Sequence, residues 1–242
     1  MTSSSSRFPE THLSVVEAIR SGEPDVRRRA FDTLVRAYWK PVYKYLRLRW
    51  RVAPENAEDL TQEFFARAFE KEQLERYDAG VARFRTFLRL CVDRLAQNEY
   101  KAASRLKRGG EENMISLDFA GIEQELVHGD TNAGADGTHT FDAEWVRGIF
   151  ELAIERVRAE CITLGRASAF AMFERYDIRG PDVQDRVTYG ELAAEFEVSQ
   201  SQVTNYLALV RRRLRHHLLA ILRETTVTEA EFRAEIREIL DR

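Results

Sequence analysis

The sequence predicts an all-α protein in which a flexible acidic linker joins two helical domains. Apolar residues recur every three or four positions through most of the 242-residue chain, the spacing that places them on one face of a helix. Several of these segments begin with Ser or Thr followed three residues later by Glu or Gln, the pattern of a capped helix start. No segment shows the alternation of a strand, so these observations together predict a helical fold.

Composition divides the chain into five parts: a Ser-rich N-terminus expected to be disordered or partly ordered, a dense helical block, an acidic linker, a second helical block and a C-terminal helix. Their predicted bounds are 1–24, 25–110, 111–140, 141–225 and 226–242. Within the linker, residues 121–140 are rich in Gly, Asp and Asn, which predicts an extended segment. The chain is long enough for two small domains with cores of their own.

The first helical block contains three predicted helices. The first covers about residues 26–50 and includes Pro41, which predicts a kink because proline lacks the N–H of an intrahelical hydrogen bond. The second starts at Pro54, a residue favoured in a first helical turn, and runs to about Lys71. The third covers roughly residues 81–106.

The second of these helices has two distinct sides. Its apolar side is expected to be buried and consists of Ala57, Leu60, Phe64 and Ala68. The opposite side is acidic and suits a basic partner; it consists of Glu55, Glu58, Asp59, Gln62 and Glu63. A merely solvated face is the alternative. Thr61 lies on the apolar side, where a packed residue and a phosphorylation site are the two interpretations.

Charge is distributed unevenly along the chain. The formal net charge of −3 averages two opposed segments. Residues 83–108 contain eight basic and two acidic residues, whereas residues 111–144 contain nine acidic residues and no Lys or Arg. A basic patch in an acidic chain can bind nucleic acid locally while the whole chain stays soluble.

Cysteine spacing and hydropathy bear on compartment and cofactors. Cys91 and Cys161 lie far apart in apolar-patterned segments, without histidines at metal-ligand spacing, and are expected to be free thiols. No apolar run approaches the roughly 20 residues of a membrane span, and no signal-peptide pattern opens the chain. We therefore expect a cytoplasmic protein with no metal, no other cofactor and no membrane partner.

Residues 188–215 predict a helix-turn-helix closed by a cluster of arginines. Each helix starts with a capping pair, Thr188 with Glu191 and Ser199 with Gln202. The second helix has one apolar stripe, formed by Val203, Leu207, Val210 and Leu214. Its opposite face, where a recognition helix meets base edges and phosphates, carries Ser201, Asn205, Ala208 and Arg212. An amphipathic hairpin with a solvated basic face is the alternative to DNA binding.

Three segments of the first block, AYWKPVYKYLRLR, AEDLTQEFF and FRTFLRLCVDRLAQNEYKAASRLKRGG, precede the helix-turn-helix of the second. Together the four resemble a bacterial RNA polymerase sigma factor of the two-domain extracytoplasmic-function (ECF) group, and the similarity covers residues from about 25 to 225. The resemblance implies that the first block is a region-two-like domain, whose acidic helix grips the clamp of core polymerase and whose basic helices read the minus-ten element. The second block is implied to be a region-four-like domain that reads the minus-thirty-five element. Turns in this family usually carry Gly where Glu197 stands.

The candidate site residues follow from these assignments. The acidic residues given above form the candidate core-polymerase surface. The candidate downstream-element residues combine basic side chains with stacking and hydrogen-bonding groups: Arg94, Gln97, Asn98, Tyr100, Lys101, Arg105, Lys107 and Arg108. The candidate upstream-element residues lie on the second helix of the helix-turn-helix: Ser201, Gln202, Asn205, Tyr206, Arg211, Arg212, Arg213 and Arg215.

The expected partners are core RNA polymerase and promoter DNA, with an anti-sigma protein or a Ser/Thr kinase as a further regulator. A stand-alone helix-turn-helix transcriptional regulator is the alternative, although it has no need of the acidic helix or the first basic block. An enzyme is not expected, because the sequence has no metal-ligand spacing, phosphate-binding glycine loop or nucleophile elbow.

Overall fold

The structure, a computed structural model, describes residues 15–20, 23–69, 76–103, 117–128, 137–179 and 187–240. Within these ranges the chain forms α-helices and a π-helical turn, Glu174–Ile178, and no strand, which confirms the all-α prediction. The helices are α1 Val15–Arg20, α2 Pro24–Arg49, α3 Pro54–Phe69, α4 Phe84–Ala103, α5 Phe119–His128, α6 Gly137–Thr163, α7 Ala167–Phe173, α8 Tyr189–Glu195, α9 Gln200–Thr225 and α10 Glu229–Leu240.

The chain divides into two compact units. Unit 1 comprises the residues up to Asp142 together with those from Leu222 onward, and unit 2 comprises Ala143–Ile221. The C-terminal helix, predicted as a segment of its own, therefore belongs to unit 1 together with the first helical block.

The core of unit 1 lies among α2, α3 and α4. Helix α2 begins at Pro24 and contains Pro41 as a buried residue, close to the predicted bounds of 26–50. The predicted apolar side of α3 is confirmed, since all four of its residues are buried. Phe84 of α4 is completely buried and meets the ring of Tyr38 edge-on, with the centroids 6.0 Å apart. Burying each such side chain contributes roughly 1.5–3 kcal/mol, so packing of apolar faces stabilises this bundle.

Helix α5 lies where the sequence predicted an extended linker, and the prediction is wrong for residues 121–128 and 137–140, which are helical. The ring of Phe119 contacts Tyr43 of α2 with the centroids 5.0 Å apart, and Ile122 is buried. The composition of this segment wrongly indicated an extended chain, because Gly and Asp residues surround a short helix. The signal that could have found it is the spacing of Phe119, Ile122 and Leu126 at steps of three and four.

Two acidic side chains of α5 are held by basic side chains of α2. Glu123 accepts two hydrogen bonds from the guanidinium of Arg47, at 2.6 and 3.0 Å, and one from the hydroxyl of Tyr43 at 2.7 Å. The Arg47 hydrogen bonds hold the pKa of Glu123 below its ordinary value. Lys44 of α2, itself buried, donates to Glu125 at 2.8 Å. The acidic character of this segment therefore serves an intramolecular contact within unit 1.

Helix α10 caps the start of α4. One carboxylate oxygen of Glu231 accepts the backbone N–H of Phe84, the first residue of α4, at 2.6 Å. The first N–H groups of a helix have no partner inside it, so this bond satisfies a donor that would otherwise be buried without one. The other oxygen accepts the N–H of Val227 at 2.9 Å, and the backbone N–H of Glu231 donates to the hydroxyl of Thr228 at 3.1 Å.

A buried charge network joins α10 to the start of α4. Arg85 places its guanidinium 3.3 Å from Glu235 and 2.8 Å from Glu238, and 3.4 Å from Asp142 of α6. The side chains of Arg85 and Glu235 are only 6% and 2% exposed. The more exposed Arg83 lies 3.7 Å from Glu235 and 3.0 Å from Glu238. Desolvation raises the pKa of Glu235 to about 7, because the two arginines offset its burial only in part.

The raised pKa of Glu235 predicts that unit 1 becomes more stable as the pH falls from 8 to 5.5. An unfolded glutamate titrates near pH ~4.3, so between that pH and about 7 the folded protein holds a proton that the unfolded chain lacks. The expected gain in the free energy of unfolding is on the order of 1–3 kcal/mol. Denaturant titrations at several pH values measure it.

The control is Glu235→Gln, which should remove most of this pH dependence. Carboxylates whose pKa is lowered, such as Glu123 and Glu238, lose their contribution only as the pH falls below about 5, outside the window tested. The same slope in the variant and the parent protein would rule out Glu235 as the titrating group.

Unit 2 has a core of its own beneath the helix-turn-helix. Its buried members come from α6, α7, α8 and α9: Val157, Cys161, Ala169, Phe170, Met172, Phe173, Leu192, Val203, Leu207 and Val210. The predicted stripe of α9 is thus confirmed at its first three positions, and Leu214 packs against this core while partly buried. This packing orients the opposite face of α9 toward solvent.

Candidate functional site

The acidic face of α3 is exposed in part. Glu55 and Asp59 are exposed, while Glu58, Gln62 and Glu63 are half-buried. Glu63 forms an ion pair with Arg67 one turn further along the helix. The face predicted from the sequence is therefore present, and Glu55 and Asp59 are its two exposed carboxylates.

Thr61 is completely buried on the other side of α3. Its hydroxyl donates to the carbonyl oxygen of Ala57 at 2.7 Å. A phosphate at this position would have to displace the packed helices, because it carries a charge of about −1.5 to −2 that cannot be left unsolvated. The structure therefore favours the packing interpretation over a phosphorylation site.

The candidate downstream-element residues of α4 do not share one surface. Arg94, Gln97 and Asn98 are exposed, and Arg94 and Asn98 line the same cavity of about 160 Å³. Tyr100 is also exposed but lines a different cavity and donates its hydroxyl to the carbonyl of Trp50 at 3.3 Å. The side chain of Lys101, and the residues Arg105, Lys107 and Arg108, lie outside the described residues.

The helix-turn-helix has the capping geometry that its sequence predicts. The hydroxyl of Thr188 accepts the N–H of Glu191 at 3.2 Å, and the Glu191 carboxylate accepts the N–H of Thr188 at 2.7 Å. Ser199 and Gln202 form the same reciprocal pair at 3.2 and 2.9 Å. Both helix starts are therefore defined by side chains in the local sequence.

The turn between α8 and α9 contains a strained residue, Glu197, with φ +54°. The N–H of Glu197 donates to the carbonyl oxygen of Ala194, and the N–H of Val198 donates to the carbonyl oxygen of Ala193 at 2.9 Å. This pair of hydrogen bonds is the Schellman pattern of a helix end. Glycine is favoured at such a left-handed position because it has no Cβ to clash with the backbone. In the family that the sequence resembles, Gly usually stands at this position, the one residue of the turn that needs this conformation.

Glu197→Gly is expected to raise the free energy of unfolding of unit 2 by roughly 0.5–1 kcal/mol. The substitution removes the cost of a left-handed backbone at a residue with a side chain, and the greater freedom of glycine in the unfolded chain offsets part of that gain. Thermal unfolding followed by circular dichroism measures the change. The matched control is Ala208→Gly at an exposed helical position, expected to destabilise by about 1 kcal/mol. Destabilisation by both substitutions would contradict the assignment of strain to Glu197.

The candidate upstream-element residues on α9 differ in their exposure. Ser201, Asn205, Arg212 and Arg215 are exposed, whereas Tyr206 is partly buried against the core. Gln202 is exposed, but its side-chain oxygen accepts the backbone N–H of Ser199.

The described part of the chain brings together no three His, Cys, Asp or Glu side chains as metal ligands would be placed.

Two arginines of the predicted DNA-binding cluster are engaged inside unit 2. Arg211 forms a two-point contact with the carboxylate of Asp177, with distances of 3.0 and 2.8 Å, and its guanidinium lies 5.7 Å from the ring centroid of Tyr176. Arg213 lies 3.4 Å from Glu160. That both contact DNA stays a prediction; in the structure these ion pairs hold α9 against its neighbours, because carboxylates of α6 and of the π-helical turn lie beside the two guanidinium groups.

The acidic face of α3 and the exposed face of α4 lie in one segment with a family match: residues 34–106 match sigma-70 region 2. This segment is similar to region 2 of sigma-70 factors. The match covers fewer than a third of the 242 residues and supports a sigma-70 family factor. No curated protein and no solved structure matches the chain.

The matched segment spans most of α2, the whole of α3 and α4, and ends at residue 106. The helix-turn-helix and α10 lie outside the match. The sequence did not predict the contacts that α10 makes with the matched segment, because nothing local indicates which distant residues its glutamates meet. None of the described helices is both long and apolar enough to span a membrane.

Proposed function

We propose that the protein is an RNA polymerase sigma factor of the ECF group, which binds core polymerase and directs promoter recognition and transcription initiation. The observation that carries the proposal is the acidic face of α3 within the segment that matches sigma-70 region 2. Glu55 and Asp59 are exposed on this face and offer carboxylates to a basic partner. The resemblance of AEDLTQEFF to the clamp-binding helix of the family assigns that partner as core polymerase.

Promoter reading is divided between two surfaces in this proposal. Arg94, Gln97 and Asn98 of α4 are placed to hold the downstream element, since they combine a phosphate-binding charge with amides that can pair with base edges. Asn205 and Arg212 on the exposed face of α9 are placed to read the upstream element. The presence of two helical blocks, the second with a helix-turn-helix, supports the ECF group in particular.

Regulation by an anti-sigma protein or a Ser/Thr kinase is part of the proposal on the resemblance alone. Thr61 is buried in the folded protein and is not the proposed target of such a kinase.

Transcription with purified core polymerase of the same organism tests the proposal. A promoter library is transcribed by core polymerase with and without the protein, and the transcripts are sequenced. Specific start sites that depend on the protein are expected. Identical transcripts in the two reactions would reject the sigma-factor assignment.

A stand-alone helix-turn-helix regulator is the second candidate, because the helix-turn-helix is geometrically complete by itself within unit 2. Such a regulator binds duplex DNA alone, whereas the proposed sigma factor requires core polymerase for tight binding. Electrophoretic mobility shifts with and without core polymerase distinguish the two.

Arg212→Ala and Asn205→Ala are each expected to weaken binding to the upstream element about 5- to 150-fold, the range for one good base contact. The matched control is Arg213→Ala, which removes a neighbouring arginine that is paired with Glu160. It should reduce DNA binding less than Arg212→Ala. Equal losses for the two arginines would contradict the assignment of the exposed face, and binding of holoenzyme to promoter fragments measures all three.

A further inference from the structure

A cleft of about 210 Å³ opens beside the acidic face of α3, between α3, α4 and the corner that joins α2 to α3. Its volume exceeds the roughly 150 Å³ of an engineered cavity that binds benzene, so one long side chain fits. The less exposed lining, the wall, is apolar and consists of Val52, Leu60 and Ala96. The exposed lining, the rim, is mainly polar and consists of Arg51, Asn56, Glu99 and Tyr100, with Ala53.

The corner beside this cleft is held in a strained conformation. Arg51 has φ +51°, which is unfavourable for a residue with a side chain. The neighbouring carbonyls are both bonded: Arg47 donates to Val52 at 2.6 Å, and Tyr100 donates to Trp50 at 3.3 Å. Strain of this kind persists where the surroundings determine the backbone, so the cleft is shaped before any partner arrives.

The rim of the cleft suits a cation carried on an apolar stem. The side chain of Tyr100 is 61% exposed, and within the described residues Glu99 takes part in no ion pair. A guanidinium or ammonium can lie over the tyrosine ring and meet the glutamate, while its methylene groups contact the apolar wall.

The surroundings of the cleft select against a phosphate-bearing ligand. Asn56 is one turn from Asp59, so the cleft is continuous with the acidic face of α3. Arg51 and Glu99 bring one charge of each sign to the lining of the cleft. The exposed carboxylates of Glu55 and Asp59 then leave the approach to the cleft negative.

We propose that this cleft receives an arginine or lysine side chain from the protein that binds the acidic face of α3. The inference rests on the proposed function, under which that protein is core polymerase. The acidic face attracts the partner over a distance, and the cleft provides the buried anchor that a specific interface needs near its centre.

Substitutions at Tyr100 test the inference, with binding of the full chain to purified core polymerase measured by fluorescence anisotropy. Tyr100→Leu removes the aromatic face and keeps an apolar side chain; a loss of about 5- to 30-fold in affinity is expected. Tyr100→Phe retains the ring and should bind within about 2-fold of the parent protein. Asn56→Trp fills the cleft from its exposed rim and should weaken binding as Tyr100→Leu does.

Three outcomes overturn the inference, and they are distinguishable. Unchanged affinity of Tyr100→Leu and Asn56→Trp, with unaltered thermal unfolding, rejects the cleft while leaving the proposed function in place. If Tyr100→Leu spares core binding but weakens capture of single-stranded promoter DNA by the holoenzyme, the occupant is a nucleobase and not a protein side chain. Failure of the parent protein to bind core polymerase rejects the proposed function and the cleft together.

Discussion

Replacing Arg85 with alanine is expected to lower the free energy of unfolding of unit 1 by about 3–5 kcal/mol at pH 8. The guanidinium of Arg85 lies within 3.4 Å of three carboxylates, and removing it leaves Glu235, whose side chain is 2% exposed, without its buried cation. The loss should be smaller at pH 5.5, because Glu235 has a pKa of about 7 and can then become neutral. Urea unfolding at the two pH values measures both effects.

Two variants serve as controls for Arg85→Ala. Arg83→Ala removes an arginine that contacts two of the same carboxylates but is 42% exposed, so a loss below about 1 kcal/mol is expected. Combining Arg85→Met with Glu235→Leu replaces the buried pair with apolar side chains and should recover much of the stability. If Arg83→Ala and Arg85→Ala destabilised equally, burial would not be what makes Arg85 important.

Reversing two charges on α3, Glu55→Arg with Asp59→Arg, is expected to weaken binding to core polymerase about 100-fold or more. Like charges placed opposite each other in an interface cost several kcal/mol. Both carboxylates are exposed in the free protein, so the fold should be unaffected. Glu63 is unsuitable for this purpose, because it is half-buried and paired with Arg67.

The matched control for this reversal is Glu195→Arg with Glu197→Arg, which makes the same change of net charge on exposed residues of unit 2. Binding of each variant to core polymerase is measured at two salt concentrations, since surface charge effects weaken with ionic strength. Retention of full affinity by the α3 variant would remove the acidic face from the proposed interface. Equal loss of affinity in both variants would mean that net charge, and not the position of the charges on α3, determines binding to core polymerase.

Much of the local structure was predictable from the sequence. The first long helix, the buried side of α3, the two capping pairs and the stripe of α9 were expected, and the structure has them. These features depend on residues within one or two turns of each other, where spacing alone determines which side chains share a face. The left-handed conformation of Glu197 is likewise a local feature, since the turn itself requires a left-handed residue at this position.

The candidate surfaces were predictable only as lists of residues. Sequence position placed Tyr100 with Asn98, but the two line different cavities because they are two positions apart on a helix and therefore point in different directions. Arg211 and Arg213 have the same charge as Arg212, yet only the fold brings Asp177 and Glu160 to the first two.

The sequence by itself determined the helical class, the positions of most helices and the faces on which charge and apolar residues lie, because these depend on local periodicity and capping. Only the tertiary structure decided that α5 packs on α2 and that Glu231 caps α4. It also decided which carboxylates surround Arg85. Such contacts join residues up to about 150 positions apart, and a hydrogen bond forms only where the packing of whole helices brings donor and acceptor within about 3 Å.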